Sequence, residues 1–357
     1  MRDKSFWIGK RVLITGVNGF IGGNLAKHLI ELGAEVVGVE KSMARNTLLD
    51  FEGLAPKVKR IMASITDFEA MKAAFLEEDI EFCFHLAAQV EVGIAREYPF
   101  LTWETNVRGT YTVLEAARCS KHRLKGIVVA STDKSYGSYP RNKMPYKEDY
   151  PLQATFPYDV SKACADMIAR SYTSPLYELP IAVTRFCNIF GPGQLNFSAI
   201  VPDCARAALG YGEFIPRGDG TQVRDFIYTG DVVRLYSTIA QRLAEDRRLA
   251  GEVFNAGTNS PRTVRDVVTT VFTAADALRA LDKVNERFAG NKTVGEIDCQ
   301  FMDFEKVNRV FGWRPETTFE TGVRETVSWY REYLGSRYGE SRGQADDIGH
   351  HPVLQRS

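Results

Sequence analysis

Tyr158 and Lys162 stand one helical turn apart in the run Tyr158-Asp159-Val160-Ser161-Lys162, and the triplet Thr132-Asp133-Lys134 ends an apolar stretch upstream. These side chains can move protons. A tyrosine serves as a base near neutral pH when its phenolate is stabilised, and a lysine four residues on along the same helix face supplies a positive charge for that purpose. Plain packing of a half-buried tyrosine over a lysine stem gives the same spacing on many amphipathic helices. The surrounding elements separate the two alternatives.

Near the N-terminus Arg11-Val12-Leu13-Ile14-Thr15 has the pattern of a buried strand and runs into Gly16-Val17-Asn18-Gly19-Phe20-Ile21-Gly22. In such a Gly-x-x-Gly-x-x-Gly loop the first glycine permits a tight turn, the second lets backbone N–H groups approach a pyrophosphate, and the third lets a helix pack close to the strand. A helical pattern follows through Phe20, Leu25, Leu29 and Leu32, closes at Gly33, and leads to a second strand, Glu35–Glu40. The spacing predicts a β-α-β unit that binds a dinucleotide. Glu40 ends its second strand, where a carboxylate accepts hydrogen bonds from both adenosine ribose hydroxyls and repels a 2′-phosphate, so NAD is the expected cofactor. Lys41 and Arg45 nearby leave NADP open, and a Glu40 solvated in a loop is the plainer alternative.

With 357 residues and 44% hydrophobic content the chain exceeds one typical domain and can bury a large core. Lys and Arg number 45 against 45 Asp and Glu, a balance that argues against nucleic acid or a membrane surface as partner and for small molecules. The opening residues lack the apolar run of a signal peptide and no segment is long enough to span a bilayer, so a cytoplasmic protein is expected. Cys83, Cys119, Cys164, Cys187, Cys204 and Cys299 are scattered, mostly within apolar segments, with no metal-ligand or disulfide spacing. They read as small core residues, and no metal is expected.

Beyond the first unit, strand patterns at Val58–Met62, Glu81–Leu86, Gly126–Ser131 and Ile181–Phe186 alternate with helical ones at Asp67–Glu77, Thr105–Arg118 and Tyr158–Tyr177. The alternation predicts an α/β fold: a Rossmann-type doubly wound parallel sheet with a smaller C-terminal α/β lobe for the substrate. Residues 1–186 make mainly the first lobe and 187–334 mainly the second, whose Gly191-Pro192-Gly193 and Pro216-Arg217-Gly218-Asp219-Gly220 signal loops. Residues 335–357 are polar and unpatterned, as expected of a mobile tail.

These pieces resemble the extended short-chain dehydrogenase/reductase family of nucleotide-sugar epimerases and dehydratases. The resemblance rests on the glycine loop, His85-Leu86-Ala87-Ala88, Asn106-Val107-Arg108-Gly109-Thr110, Tyr158…Lys162, Arg185-Phe186-Cys187-Asn188-Ile189-Phe190-Gly191-Pro192-Gly193-Gln194, Val223-Arg224-Asp225-Phe226-Ile227 and Gly312-Trp313-Arg314-Pro315. It covers nearly the whole chain. It implies that Gly16, Asn18, Gly19, Phe20, Ile21, Gly22, Glu40, Leu86, Ala87, Ala88, Tyr158 and Lys162 hold NAD. It implies likewise that Gln89, Asn188 and Arg224 face a nucleotide-diphosphate sugar, and that two copies pair through Thr105–Arg118 and Asp159–Tyr177 into a homodimer. Val107, Val113, Leu114, Met167 and Ile168 are the apolar positions that support pairing, with a wide core-facing stripe as the plainer account. Relatives carry a second phosphate-binding arginine where this chain has Lys292-Thr293-Val294-Gly295-Glu296, leaving Lys292, Arg287 or Arg265 as substitutes.

Within that family Thr132-Asp133-Lys134 resembles the 4,6-dehydratases, and with His85-Leu86-Ala87-Ala88-Gln89 it is most similar to the CDP-glucose branch, while Asn188-Ile189-Phe190-Gly191-Pro192-Gly193-Gln194 is similar to the general epimerase/dehydratase pattern and leaves dTDP-, UDP- and GDP-sugars open. The implied chemistry begins with oxidation at sugar C4, Tyr158 taking the hydroxyl proton, Thr132 orienting that hydroxyl and Lys162 stabilising the phenolate. Lys134, held neutral by burial or by the cofactor's positive charge, then removes the C5 proton, Asp133 protonates the departing C6 hydroxyl, hydride returns from NADH to C6, and a 4-keto-6-deoxy sugar results with the cofactor regenerated. Lys134 stands where most dehydratases have glutamate. The alternatives are a 4-epimerase, in which Asp133 caps a turn and Lys134 meets solvent, and a noncatalytic NAD-binding protein.

Overall fold

A computed structural model describes residues 4–42, 45–288 and 297–338. Its strands are β1 (Arg11–Thr15), β2 (Glu35–Glu40), β3 (Val58–Met62), β4 (Phe82–His85), β5 (Gly126–Ala130), β6 (Ile181–Phe186), β7 (Asn188–Phe190), β8 (Val223–Arg224), β9 (Phe226–Tyr228), β10 (Val253–Ala256), β11 (Arg262–Thr263) and β12 (Cys299–Gln300). The main sheet has seven strands in the order β10-β6-β5-β4-β1-β2-β3, every pair parallel. Such strands are buried on both faces, which is why they read as apolar runs. Val12 and Ile14 enter the core on one side while Leu13, with Phe75 and Val113, forms the core on the other. The strand order reverses between β1 and β4, and at such a switch point the carboxyl ends of parallel strands open a crevice for a ligand.

Expected strands at Val58–Met62 and Ile181–Phe186 recur with the same ends, and the other two are one or two residues shorter. The expected helix Tyr158–Tyr177 is Pro157–Ser171, six residues shorter at its end. Pro175 lies just beyond and cannot continue a helix, and it biases Ser174 away from helical angles. The expected Thr105–Arg118 helix is interrupted by a π turn over Glu104–Arg108 before an α-helix, Gly109–Cys119. Not foreseen at all was β10, which returns the chain from beyond residue 187 to the edge of the main sheet beside β6. The helix Thr229–Glu245 returns with it and packs on Phe20–Glu31.

The second lobe packs helices Ile200–Ala208, Val264–Ala274, Leu278–Glu286 and Phe319–Tyr338 around a cluster that includes Phe190, Phe226, Phe272 and Tyr330. Two small sheets, β7-β9 and β11-β8-β12, lie outside the main sheet. The tail does not begin at Gly335, because the last helix anchored by buried Tyr333 and Leu334 runs on to Tyr338. The rest of the expected tail, 339–357, lies outside the described residues. Val113 and Leu114 are not left over for a partner: both are fully buried on the sheet, and Ile168 packs against the same core. A core-facing stripe accounts for them, whereas Met167 is 60% exposed. Of the cysteines, Cys119 is exposed at a helix end while Cys83, Cys187, Cys204 and Cys299 are buried. Among the described residues no helix is long and apolar enough to cross a membrane.

Candidate active site

A cavity of about 920 Å³ opens over the carboxyl ends of the central strands, at the switch point. Of the residues singled out by sequence, Gly16, Gly19, Phe20, Ile21, Gly22, Glu40, Leu86, Ala87, Ala88, Thr132, Asp133, Lys134, Tyr158, Lys162 and Asn188 line it. Asn18, Gln89 and Arg224 do not.

The glycine loop is as close as its composition requires. Gly16 has φ +76, and a Cβ there would lie 3.0 Å from the Ala87 Cα; one on Gly22 would run into the Gly16 carbonyl. The helix Phe20–Glu31 begins at Gly19 with no side-chain cap and no acidic residue in its first turn. Its N-terminal N–H groups and dipole therefore suit an anion. The Asn18 backbone N–H donates to Glu40 Oε1, while both polar atoms of the Asn18 side chain are buried without a partner in the described residues. Burial raises the Glu40 carboxyl above its ordinary value, with the Asn18 N–H and the Arg60 charge working against it.

Beside the loop, Thr15 joins the two strands that flank the switch point. Its hydroxyl accepts from the backbone N–H groups of Leu86 and Ala87, both at 3.1 Å, and lies 2.9 Å from His85 Nδ1. Burial lowers His85 to about 3, so the ring is neutral at working pH. The threonine proton must then go to Nδ1, which leaves the ring proton on Nε2, 3.1 Å from Thr110 Oγ1. This chain of bonds fixes the backbone of Leu86 and Ala87 against the cavity.

On the opposite wall Pro157 begins the helix that carries Tyr158 and Lys162, a position where its missing N–H costs nothing. Lys162 is 7% exposed and its Nζ donates to the Ala130 carbonyl at 2.5 Å. Burial pulls its ammonium down to about 8, against a push upward from Asp166. The Tyr158 phenol is raised, by burial first and then by the carboxylates of Asp159 and Asp133; a hydrogen bond with Thr132 lowers it. Thr132 has one hydroxyl proton and stands between Tyr158 and Asp133, whose Oδ1 is 3.2 Å away.

Asp133 itself is 2% exposed, and its Oδ2 has no partner among the described residues. It does not cap the turn that follows: that turn is capped by Thr132, which accepts from the Lys134 N–H at 3.4 Å. An uncommitted buried carboxylate oxygen costs roughly 1–3 kcal/mol and persists where something else requires it. Burial raises the Asp133 carboxyl, and the charges of Lys134 and Arg224 lower it.

Gln89 is committed within its own loop and the helix that follows. Its side chain accepts from Thr102 at 3.1 Å and donates to the Glu91 carbonyl at 3.0 Å. Its backbone is held by Asn106, which donates to the Gln89 carbonyl and to Ser161 Oγ, each at 2.9 Å, and accepts from the Gln89 N–H. The π turn places Asn106 so that it ties the loop after β4 to the Tyr158 helix. Arg224 donates to the Val223 carbonyl at 2.9 Å and reaches the site through its charge on Asp133.

Two site residues escaped the sequence reading. Asp159 is buried beside the cluster and pushed up to about 6, chiefly by burial, with Lys134 lowering it and Asp133 raising it. Its place inside the Tyr-x-x-x-Lys spacing was the available signal. Arg217, from the glycine-rich loop, lines the cavity. Arg287 instead pairs with Glu213, and Arg265 lies over the Phe288 ring; Lys292 lies outside the described residues.

Comparison with known proteins agrees with this architecture. The family described as GDP-mannose 4,6 dehydratase matches residues 13–326. The dTDP-glucose 4,6-dehydratase 1 of Escherichia coli (strain K12) is 31% identical over 342 residues, covering 90% of this chain and 92% of its own. The CDP-glucose 4,6-dehydratase of Salmonella typhimurium is 28% identical over 347 residues and 94% of each chain. The solved structure of DesIV, a dTDP-glucose 4,6-dehydratase from Streptomyces venezuelae with NAD and TYD bound, has a TM-score of 0.78 at 29% identity, over 91% of this chain and 98% of its own. The matched span takes in both lobes, and the chain belongs to the GDP-mannose 4,6-dehydratase family.

Proposed function

We propose that the protein is an NAD-dependent nucleotide-sugar 4,6-dehydratase that converts an NDP-hexose to the NDP-4-keto-6-deoxyhexose with loss of water. The observation that carries this reading is Asp133: a buried carboxylate with an uncommitted oxygen, on the same cavity as Tyr158 and Lys162. A 4-epimerase has no use for a second proton donor there. The glycine loop, the uncapped helix N-terminus and the orphaned Asn18 amide fit a dinucleotide. When bound, NAD supplies a reversible two-electron acceptor for the sugar.

Tyr158 takes the proton of the sugar 4-hydroxyl, and Thr132 orients that hydroxyl. Lys162 supplies positive charge beside the phenolate and a donor for the cofactor ribose. Lys134, as the free amine, removes the C5 proton, made acidic by the new ketone, and Asp133 passes a proton to the C6 hydroxyl as water departs; the two electrons taken from C4 then return as hydride to C6 of the enone while Lys134 gives its proton back to C5, which leaves the cofactor oxidised again. Asn188, Arg217 and the field of Arg224 serve the substrate's diphosphate, a guanidinium being suited to paired phosphate oxygens. The lobe of residues 1–186 thus serves mainly the dinucleotide and that of 187–334 mainly the nucleotide sugar. Among nucleotides, CDP-glucose is the first to test, on the strength of Thr132-Asp133-Lys134. Incubation with CDP-, dTDP-, UDP- and GDP-sugars, reading product mass and alkaline 4-keto absorbance, decides: loss of water supports the reading, and isomerisation alone replaces it with the epimerase.

Cofactor choice gives a separate expectation. With Glu40 at the end of β2, NAD should bind at least about tenfold more tightly than NADP, and Glu40→Ala should narrow the gap. Equal affinities in the parent protein would refute the assignment. A homodimer is also expected. Phe100 (76% exposed), Tyr111 (44%) and Met167 lie on or beside the helices named for pairing and are apolar side chains that a subunit contact there would cover. Light scattering at micromolar concentration should give twice the chain mass; a monomer overturns this.

A further inference from the structure

Of the carboxylates that line the cavity, three have partners: Glu40 accepts from the Asn18 N–H, Glu104 pairs with Arg108 at 2.8 Å, and Asp133 accepts from Thr132. The fourth, Glu91, has no hydrogen bond or ion pair at its carboxylate among the described residues. It is half-buried between Val90 and Val92, which line the same cavity. Its backbone is held fast. Gln89 Nε2 donates to the Glu91 carbonyl at 3.0 Å, and the Ala95 N–H donates to that carbonyl at 2.9 Å. Gln89 is held in turn by Thr102 and Asn106, while Ala95 is buried in a short helix, Val92–Glu97, that packs on the Tyr158 helix. The loop after β4 therefore fixes Glu91 on the cavity wall between Ala88 and the helix that carries Tyr158.

An uncommitted carboxylate on this wall accepts hydrogen bonds and repels phosphate. The diphosphates of the cofactor and of the substrate are thereby excluded as its partners, whereas a hexose ring is neutral and rich in donors. On that ring the C1 oxygen carries the diphosphate and the ring oxygen has no proton. The hydroxyls at C4 and C6 are met by Tyr158, Thr132 and Asp133. Those at C2 and C3 are left, and as neighbours on the ring they suit the two oxygens of one carboxylate. Val90 and Val92 on either side supply apolar surface for the C–H groups of the same ring.

We propose that Glu91 binds the C2 and C3 hydroxyls of the sugar and makes the site selective for hexoses that carry both of them free. This rests on the reading of the cavity as a nucleotide-sugar site, and it holds whether the sugar then loses water or is epimerised. Each hydroxyl donates to a carboxylate oxygen, a charge-assisted bond stronger than one between neutral groups. A sugar that lacks one of the two leaves an oxygen of Glu91 unpaired against the ring, and a site built around a hydroxyl discriminates against the analogue without it.

The test is calorimetric titration of the NAD-loaded protein with CDP-glucose, with its 2-deoxy and 3-deoxy analogues, and with CDP alone, or with the dTDP-, UDP- or GDP- set if that nucleotide binds instead. The parent should bind the glucose form about tenfold or more tightly than either deoxy form. Glu91→Ala should weaken the glucose form by about the same factor and leave the deoxy forms and CDP much less changed, so that the preference collapses toward one. Should that variant not fold, Glu91→Gln keeps the size, removes the charge, and should reduce the preference in the same direction. A parent without the preference overturns the proposal, and so does a folded variant that keeps it. A variant that loses NAD affinity instead places Glu91 on the cofactor and overturns it as well. If no nucleotide sugar binds more tightly than its nucleotide, the nucleotide-sugar reading fails and takes this inference with it. The expected preference with no loss of water would overturn the dehydratase reading alone.

Discussion

Tyr158→Phe is expected to lower turnover about a thousandfold while nucleotide-sugar affinity stays near that of the parent. The substitution removes the hydroxyl that takes the C4 proton and leaves the ring, so packing on the half-buried helix changes little. The cost beyond chemistry is one hydrogen bond with Thr132, worth about 1 kcal/mol. The pH dependence has a definite sign. Burial and the carboxylates of Asp159 and Asp133 raise the phenol, so its basic form gains as pH rises, and kcat/KM of the parent should climb on the acid side of its profile. Rate measurements across pH together with calorimetric titration of the nucleotide sugar check both halves. Near-parent turnover in the variant would remove Tyr158 from the mechanism.

The second large effect separates the two halves of the reaction. Asp133→Asn or Lys134→Met should lower formation of the 4-keto-6-deoxy product about a hundredfold or more, because each removes one side of the second proton transfer. Oxidation at C4 precedes that step, so reduced-cofactor absorbance should build up in these variants and stay at baseline in Tyr158→Phe. Burial raises the Asp133 carboxyl, which keeps it protonated to higher pH than an exposed aspartate, and elimination should weaken as pH rises through its titration. Asp133→Asn should also be no less stable to heat than the parent, since it replaces a buried carboxylate whose Oδ2 has no partner. Product formation at the parent rate by both variants would show that elimination does not depend on these residues.

Much of the site was legible because it depends on spacings short enough for local geometry to dictate. Three glycines within seven residues after an apolar strand leave few backbone paths, and Gly16 and Gly22 do approach their neighbours too closely for a Cβ. Tyr158 and Lys162 face the same way because a helix turns once in about 3.6 residues. β3 and β6 end at Met62 and Phe186, the bounds expected from their sequence patterns.

Tertiary structure decided what depends on residues far apart in the chain. β10 is four residues long and holds an asparagine, Asn255, so its place in the main sheet follows from pairing with β6 and not from its own pattern. Val113 and Leu114 resembled spare apolar surface until the sheet beneath them accounted for both. Gln89 is expected from its motif to face the substrate, and it is the fold that also bonds its side chain to Thr102 and its backbone to Asn106. Arg217 carries no local mark that distinguishes it from Arg265 or Arg287, and only the folding of its loop over the cavity does so. By itself the sequence determined the parallel α/β layout, the close glycine loop and the shared helix face of Tyr158 and Lys162, all of which follow from backbone periodicity and glycine sterics. Which distant charges stand behind those groups was left to the fold, because electrostatic environment is set by distance and burial in space, and neither is written in separation along the chain.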